Sequence, residues 1–258
     1  MNKKISNKLK KIVPLKIAAI SLRALKGKGS ALKRARELVS FFGDYWKYKT
    51  MPAGNFSLKT EDLYPRLGDK TGNTPLDPVY FFQNSWCAGK IFADKPERHF
   101  DIGSDARLVG IISQFVPTTM VDIRPLPVEL PGLDFARGDI TSLPFADGEI
   151  KSLSSICVVE HIGLGRYGDP LDPFGSEKAA EELKRVLAPG GNLYVSLPVD
   201  SENKTYFNAH RAFTREYVLD LFAPLKPVEE KYVYGRTLGE SYRKDKGFGT
   251  GLFHFRKI

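Results

Sequence analysis

From Arg98 to Arg256 the chain alternates strand-length apolar runs with stretches of helical period, and this alternation constrains the fold more than any other feature. The apolar runs are Arg98–Ile102, Thr119–Ile123, Leu133–Arg137, Ser152–Val158 and Asn192–Leu197. Helical stretches are predicted at Ala106–Phe115, Ser176–Leu187 and Thr214–Phe222. Strands joined through crossover helices must run parallel, with helices on both faces of the sheet. Ser152–Val158 is apolar or small throughout, as a strand covered on both sides should be. The helix before the fifth strand meets a proline/glycine stop at Pro189-Gly190-Gly191. Two late strands, Val228–Tyr234 and Gly251–Arg256, have no helix between them and should pair antiparallel. The predicted fold class is therefore α/β: a doubly wound, mainly parallel seven-stranded sheet with an antiparallel last strand.

This domain is expected to span residues 78–258. Asp77-Pro78 supplies an N-cap and a first-turn proline for an aromatic-rich helix running to about Phe92. Residues 51–77, rich in Gly, Pro, Asn and Asp, read as a loop or linker. Residues 1–50 read as a basic amphipathic helical extension, broken at Pro14 and around Gly27–Gly29, with Ser30 as the N-cap of a third helix. This segment holds 14 Lys/Arg against 2 acids, while the remaining 208 residues hold 25 against 28. All of the excess positive charge therefore belongs to the extension. Such a segment suits an anionic membrane surface, or packing on the domain or a partner with its lysines solvated. Nucleic acid is a weaker expectation, because the domain itself is net acidic and carries no Asn-Pro-Pro-Tyr-like motif. No apolar run reaches spanning length and no cleavable leader is legible, so a cytoplasmic protein with a peripheral membrane contact is expected. Cys87 and Cys157 stand in apolar runs without CxxC or Cys/His spacing, and they read as buried free thiols with no metal site.

In open α/β sheets, ligands bind at the carboxyl ends of the strands. Here the first strand leads into Asp101-Ile102-Gly103-Ser104-Asp105, and the second ends Asp122-Ile123-Arg124. Gly138-Asp139-Ile140 follows the third, and the fourth ends in Glu160-His161. This series, with Leu143-Pro144-Phe145 and Arg185-Val186-Leu187-Ala188-Pro189-Gly190-Gly191, resembles the ordered motifs of class I S-adenosylmethionine-dependent methyltransferases over about residues 98–198. The segment Glu160–Pro170 also resembles a bacterial methyltransferase-like family of unknown function whose members accompany surface-polysaccharide genes. The resemblance implies S-adenosylmethionine as cofactor, with Asp101, Gly103, Asp105, Asp122, Ile123, Asp139, Ile140 and Glu160 around it.

The chemistry is consistent with that assignment. One ionised carboxylate can accept both hydroxyls of a ribose, which suits Asp122, and Asp139 can accept from an adenine amino group. Either acid alternatively caps a loop or helix. The first motif departs from the family pattern, with Asp105 and Arg107 where glycines usually stand. Asp tolerates positive φ better than most residues, and Arg107 could pair with the methionine carboxylate. Alternatively, both side chains block the site. His161 and His210 are the candidate bases for methylating a sugar or glycan hydroxyl, and ordering of its own loop is the competing role for His161. Gly247–Gly251 reads as a bend between strands, since no helix follows it. Two functions stay open: an O-methyltransferase acting on a sugar or glycan, and a non-catalytic binding module of the same fold in polysaccharide assembly.

Overall fold

The computed structural model describes residues 17–22, 24–26, 30–52 and 54–258. The chain divides into two compact units, residues 1–75 and 76–258. In the first, residues 17–22 and 24–25 are helical, and α1 (Ala31–Lys49) follows Ser30, whose side chain makes no capping hydrogen bond. The predicted stretch through Ile5, Leu9 and Ile12, the Pro14 break and the Gly27–Gly29 break lie outside the described residues. On α1, Tyr45 is buried, while Leu32, Val39 and Trp46, seven residues apart, are exposed. The predicted loop contains one 3-10 turn at Thr60–Asp62, and its Lys70 pairs with Asp44 of α1 at 2.7 Å.

The second unit opens with α2 (Pro78–Asp94). Asp77 Oδ1 accepts from the backbone N–H of Val79 at 2.9 Å and of Tyr80 at 3.3 Å, so it acts as the predicted N-cap. β1 (His99–Ile102), α3 (Ala106–Ile112), β2 (Thr118–Asp122), β3 (Leu133–Arg137), β4 (Ile150–Ile156), α4 (Gly175–Val186) and β5 (Leu187–Val199) follow. After them come the hairpin β6 (Lys204–Tyr206) and β7 (His210–Ala212), then α5 (Arg215–Phe222), β8 (Lys226–Tyr234), β9 (Thr237–Gly239) and β10 (Gly249–Arg256). The main sheet has the order β3-β2-β1-β4-β5-β10-β8-β9. Its first five strands are parallel, and β10 runs antiparallel to both β5 and β8. This is the mixed, doubly wound architecture expected.

Two details differ from the sequence reading. The sheet has eight strands, because the chain after β8 turns back at Gly235 (φ +60°) and adds β9 at the edge. The fifth strand begins five residues early, at Leu187. It takes in Pro189-Gly190-Gly191, with Gly190 at φ +76° and a register shift opposite Ile150–Ser152. The glycines thus make a bulge within the strand rather than a loop before it. Both faces of the sheet are covered. Leu183, Val186, Val218 and Phe222 of α4 and α5 pack on one core, and Trp86, Ile91, Leu108 and Ile112 of α2 and α3 on the other. Among the described residues no helix is long and apolar enough to cross a membrane.

Candidate functional site

The carboxyl ends of β1 to β4 meet at two adjoining hollows of about 670 and 510 Å³. Gly103, Asp122, Arg124, Cys157, His161 and Tyr167 line both.

At the end of β1, Asp101 is fully buried. Its Oδ1 accepts from Ser104 N–H at 3.0 Å, and its Oδ2 accepts the hydroxyls of Ser104 (2.6 Å) and Ser154. Burial pushes its carboxyl up to about 6, against the pull of these donors. Asp101 thus lines neither hollow and serves by holding the loop in shape. Gly103 takes φ +73°, which favours glycine, and a Cβ there would crowd Val158 Cγ1 at 3.1 Å. Asp105 has φ −60°, caps α3 and accepts from Arg107 N–H at 2.9 Å. The positive φ that an aspartate could tolerate is not adopted here; Gly103 makes the sharp turn. Arg107 lines the larger hollow, but its side chain is mostly exposed and pairs with Asp105.

At the end of β2, Asp122 accepts from Arg124 three times: N–H at 2.8 Å and Nε at 3.2 Å on Oδ1, and a terminal nitrogen at 3.3 Å on Oδ2. A carboxylate has about four acceptor positions, so Oδ2 keeps capacity for a ligand hydroxyl. Arg124 also lies 4.8 Å from the centre of the Tyr167 ring, and Arg166 lies 5.1 Å from it. Ile123, Asp139 and the buried Ile140 line the smaller hollow. Asp139 Oδ1 accepts from the N–H and hydroxyl of Thr141, both at 2.8 Å, so the capping role is realised beside the hollow.

Beyond β4, Cys157 takes φ +55°, a conformation that strains a non-glycine residue by about 1–3 kcal/mol. Its thiol donates to Gln83 Oε1 at 3.0 Å. Glu160 is buried in a 3-10 turn and lines the larger hollow. Its Oε1 stands 3.7 Å from His161 Nε2, and its Oε2 has no partner. Burial pushes this carboxyl up to about 8. His161 Nδ1 lies 2.6 Å from the Ala209 carbonyl, which can only accept; Arg166 Nη1, 3.3 Å from Nδ1, donates instead to that carbonyl at 2.9 Å, so Nδ1 carries the hydrogen and Nε2 is the free base. Burial lowers the basicity of this imidazole to about 4. His210 is 6.5 Å from His161 between ring centres, but it lines neither hollow. Its ring packs against Tyr206 and Phe248 at 5.0 and 5.5 Å.

The loop after His161 is fixed by backbone proximity. A Cβ on Gly163 would lie 2.0 Å from the Asp172 carbonyl oxygen, and one on Gly175 would lie 2.4 Å from that of Ile162. Asp169 accepts from the N–H groups of Gly163 (2.7 Å), Gly165 (3.3 Å) and Tyr167 (3.1 Å). Arg211 of β7 donates to the carbonyls of Ile162, Asp172 and Pro173, which makes it structural. The sequence reading did not single out Tyr80, Arg124 or Cys157 as site residues. Tyr80 stood within an apolar stripe and Cys157 within an apolar strand, and only Arg124, next to Asp122, carried a usable signal.

A profile described as "Caenorhabditis protein of unknown function, DUF268" matches residues 146–223. No curated protein matches the sequence. Among solved structures, the chain is similar to the Burkholderia thailandensis 1,6-didemethyltoxoflavin-N1-methyltransferase with bound 1,6-didemethyltoxoflavin and S-adenosylhomocysteine. The TM-score is 0.52 at 14% identity, covering 90% of this chain and 92% of that one. It is also similar to the N-methyltransferase NodS from Bradyrhizobium japonicum WM9 in complex with S-adenosylhomocysteine, with TM-score 0.50, 16% identity, and 70% and 88% covered. The fold is thus that of Rossmann-like methyltransferases.

Proposed function

We propose that this chain is an S-adenosylmethionine-dependent methyltransferase acting on a hydroxyl of a sugar or glycan in surface-polysaccharide synthesis. The observation that carries the reading is the fixed tautomer of His161. The Ala209 carbonyl holds Nδ1–H, leaving an unprotonated Nε2 on a residue that lines both hollows. The cofactor fits the residues present: Gly103 lines both hollows without a side chain, Asp122 keeps an open acceptor position, and Asp139 and Ile140 flank the smaller hollow. When bound, the cofactor supplies an electrophilic methyl group. His161 takes the acceptor proton, while Tyr167 and the two arginines beside it wall the acceptor side. The sugar or glycan acceptor is supported by the resemblance of residues 160–170.

Asp122→Ala is expected to weaken binding of S-adenosylmethionine by about 1.5–3 kcal/mol, the worth of hydrogen bonds to a charged group. Calorimetric titration of the wild type and the variant checks this. Absence of binding by the wild type at about millimolar ligand defeats the cofactor assignment, because even a weak cofactor site is occupied there. One observation favours a non-catalytic module instead: Arg124 already occupies most of Asp122. That reading predicts no binding of cofactor or its demethylated product.

The exposed Leu32, Val39 and Trp46 on a helix that also carries Lys33, Arg36, Lys47 and Lys49 support attachment to anionic lipid at the cytoplasmic face. Full-length protein is expected to float with anionic vesicles at low salt and to detach at high salt. Equal flotation of a chain lacking residues 1–50 refutes the attachment.

A further inference from the structure

We propose that Glu160 is a proton-linked counter-charge for the cofactor: its buried, unpartnered carboxyl oxygen meets a positive centre of the bound cofactor, and the carboxylate stands beside His161. This inference rests on the cofactor reading above, but it concerns a group that reading leaves unused.

Glu160 is only 1% exposed, lines the larger hollow, and its Oε2 has no hydrogen-bond partner. The other buried acids are provided for. Asp101 takes three hydrogen bonds, and Asp200 takes the N–H and hydroxyl of Ser201 and the Lys204 ammonium. Glu177 also has an unpartnered oxygen, but its other oxygen accepts from Tyr217 and it lines neither hollow. A buried polar atom left unpaired is destabilising, and one facing a hollow is satisfied when a ligand brings the missing partner.

The groups around Glu160 indicate which partner that is. Burial opposes the ionised form more than its own backbone N–H and the Cys157 thiol from the end of β4 favour it, and the neutral His161 follows Glu160 in the turn. From the loop, the Arg166 guanidinium acts only at a distance, and its Nη1 donates to the Ala209 carbonyl at 2.9 Å. Among the described residues no lysine or arginine lies within 4.0 Å of the carboxyl. The protein therefore provides no counter-cation, and burial keeps the carboxyl protonated at neutral pH, with its ionisation raised to about 8. A positive centre entering the hollow favours the ionised form. The Oε–H bond then breaks, its electron pair stays on the carboxylate, and the proton leaves to buffer through the open hollow. The carboxylate left 3.7 Å from Nε2 stabilises an imidazolium. The low basicity of His161 in the free protein is thereby raised only when cofactor is present.

S-adenosylmethionine offers two positive centres, an ammonium and a sulfonium, and S-adenosylhomocysteine only the ammonium. The test is calorimetric titration of the full chain with each compound, at about pH 7, in buffers of differing ionisation enthalpy. Binding is expected to release close to one proton, and in the wild type affinity should rise with pH, up to about tenfold per unit below pH 8. Release with both compounds assigns the ammonium, and release with S-adenosylmethionine alone assigns the sulfonium. Glu160→Gln should bind without release. Binding by the wild type with no net proton change overturns the inference and leaves the methyltransferase reading standing, as does undiminished release in Glu160→Gln. If neither compound binds, the cofactor reading falls and this inference with it. The wild-type pH dependence decides the matter even if the variant fails to fold.

Discussion

Replacing Asp101 with alanine is expected to lower the stability of the fold by roughly 3–5 kcal/mol, a fall in melting temperature of about 6–20 °C. Its carboxylate ends a wholly buried hydrogen-bond chain whose direction is fixed. Ser154 donates to Asp101, so it accepts from His99 Nε2–H at 2.9 Å; His99 Nδ1 then accepts the Ser152 hydroxyl at 2.8 Å. Without Asp101, the N–H and hydroxyl of Ser104 and the hydroxyl of the fully buried Ser154 lose their acceptor. Asp101→Asn should rescue little, because its amide brings two more donors to a site already made of donors. The penalty also depends on pH. Folding raises the Asp101 ionisation from 3.8 to about 6, so the folded state binds the proton more tightly. Its contribution to stability is full below about pH 4 and declines as pH rises through 6. The gap between wild type and Asp101→Ala should therefore widen on acidification. His99 and His161 act oppositely: burial lowers them to about 3 and 4, so their contribution is lost as pH falls below about 6.5. Thermal melts of both proteins across this range measure the difference, and a constant gap contradicts the assignment.

His161→Ala is expected to slow methyl transfer to a sugar hydroxyl by about 10²–10⁴-fold, the usual contribution of a general base. Cofactor affinity should change little. His210→Ala should have a much smaller effect, since that ring packs with Tyr206 and Phe248 outside both hollows. In the free enzyme Nε2 is unprotonated down to about pH 4, so kcat/KM should show no acid limb near pH 6.5 from this residue. Turnover of both variants on nucleotide sugars or glycan acceptors provides the check. Full activity of His161→Ala removes it as the base.

The parts of the fold carried by period and punctuation were legible in the sequence. The five parallel strands, the Asp77 cap and the antiparallel pairing of β8 with β10 all follow from local pattern. β9 and the β6–β7 hairpin were not, because three-residue strands have too few alternations to show a period. In the site, sequence order put Gly103, Asp122, Asp139, Glu160 and His161 at strand ends, where the structure also has them. Pairing across sequence distance was invisible. Nothing local indicates that Asp101 faces Ser154 across the strand pair, or that Ala209 orients His161. Arg107 illustrates a milder failure: it stands in the position of a family glycine, yet its exposed side chain is tied to Asp105 at the edge of the larger hollow.

The paired approach at Gly163 and Gly175 constrains how this site can diversify. Neither position admits a side chain without displacing a carbonyl, so the ends of the intervening segment are fixed to each other and to the start of α4. Tyr167, Leu171 and Phe174, by contrast, are exposed along it. New acceptor preferences are therefore reachable by exchanging Tyr167, which lines both hollows, on an unchanged frame. Insertions at either glycine would discard the frame along with the preference.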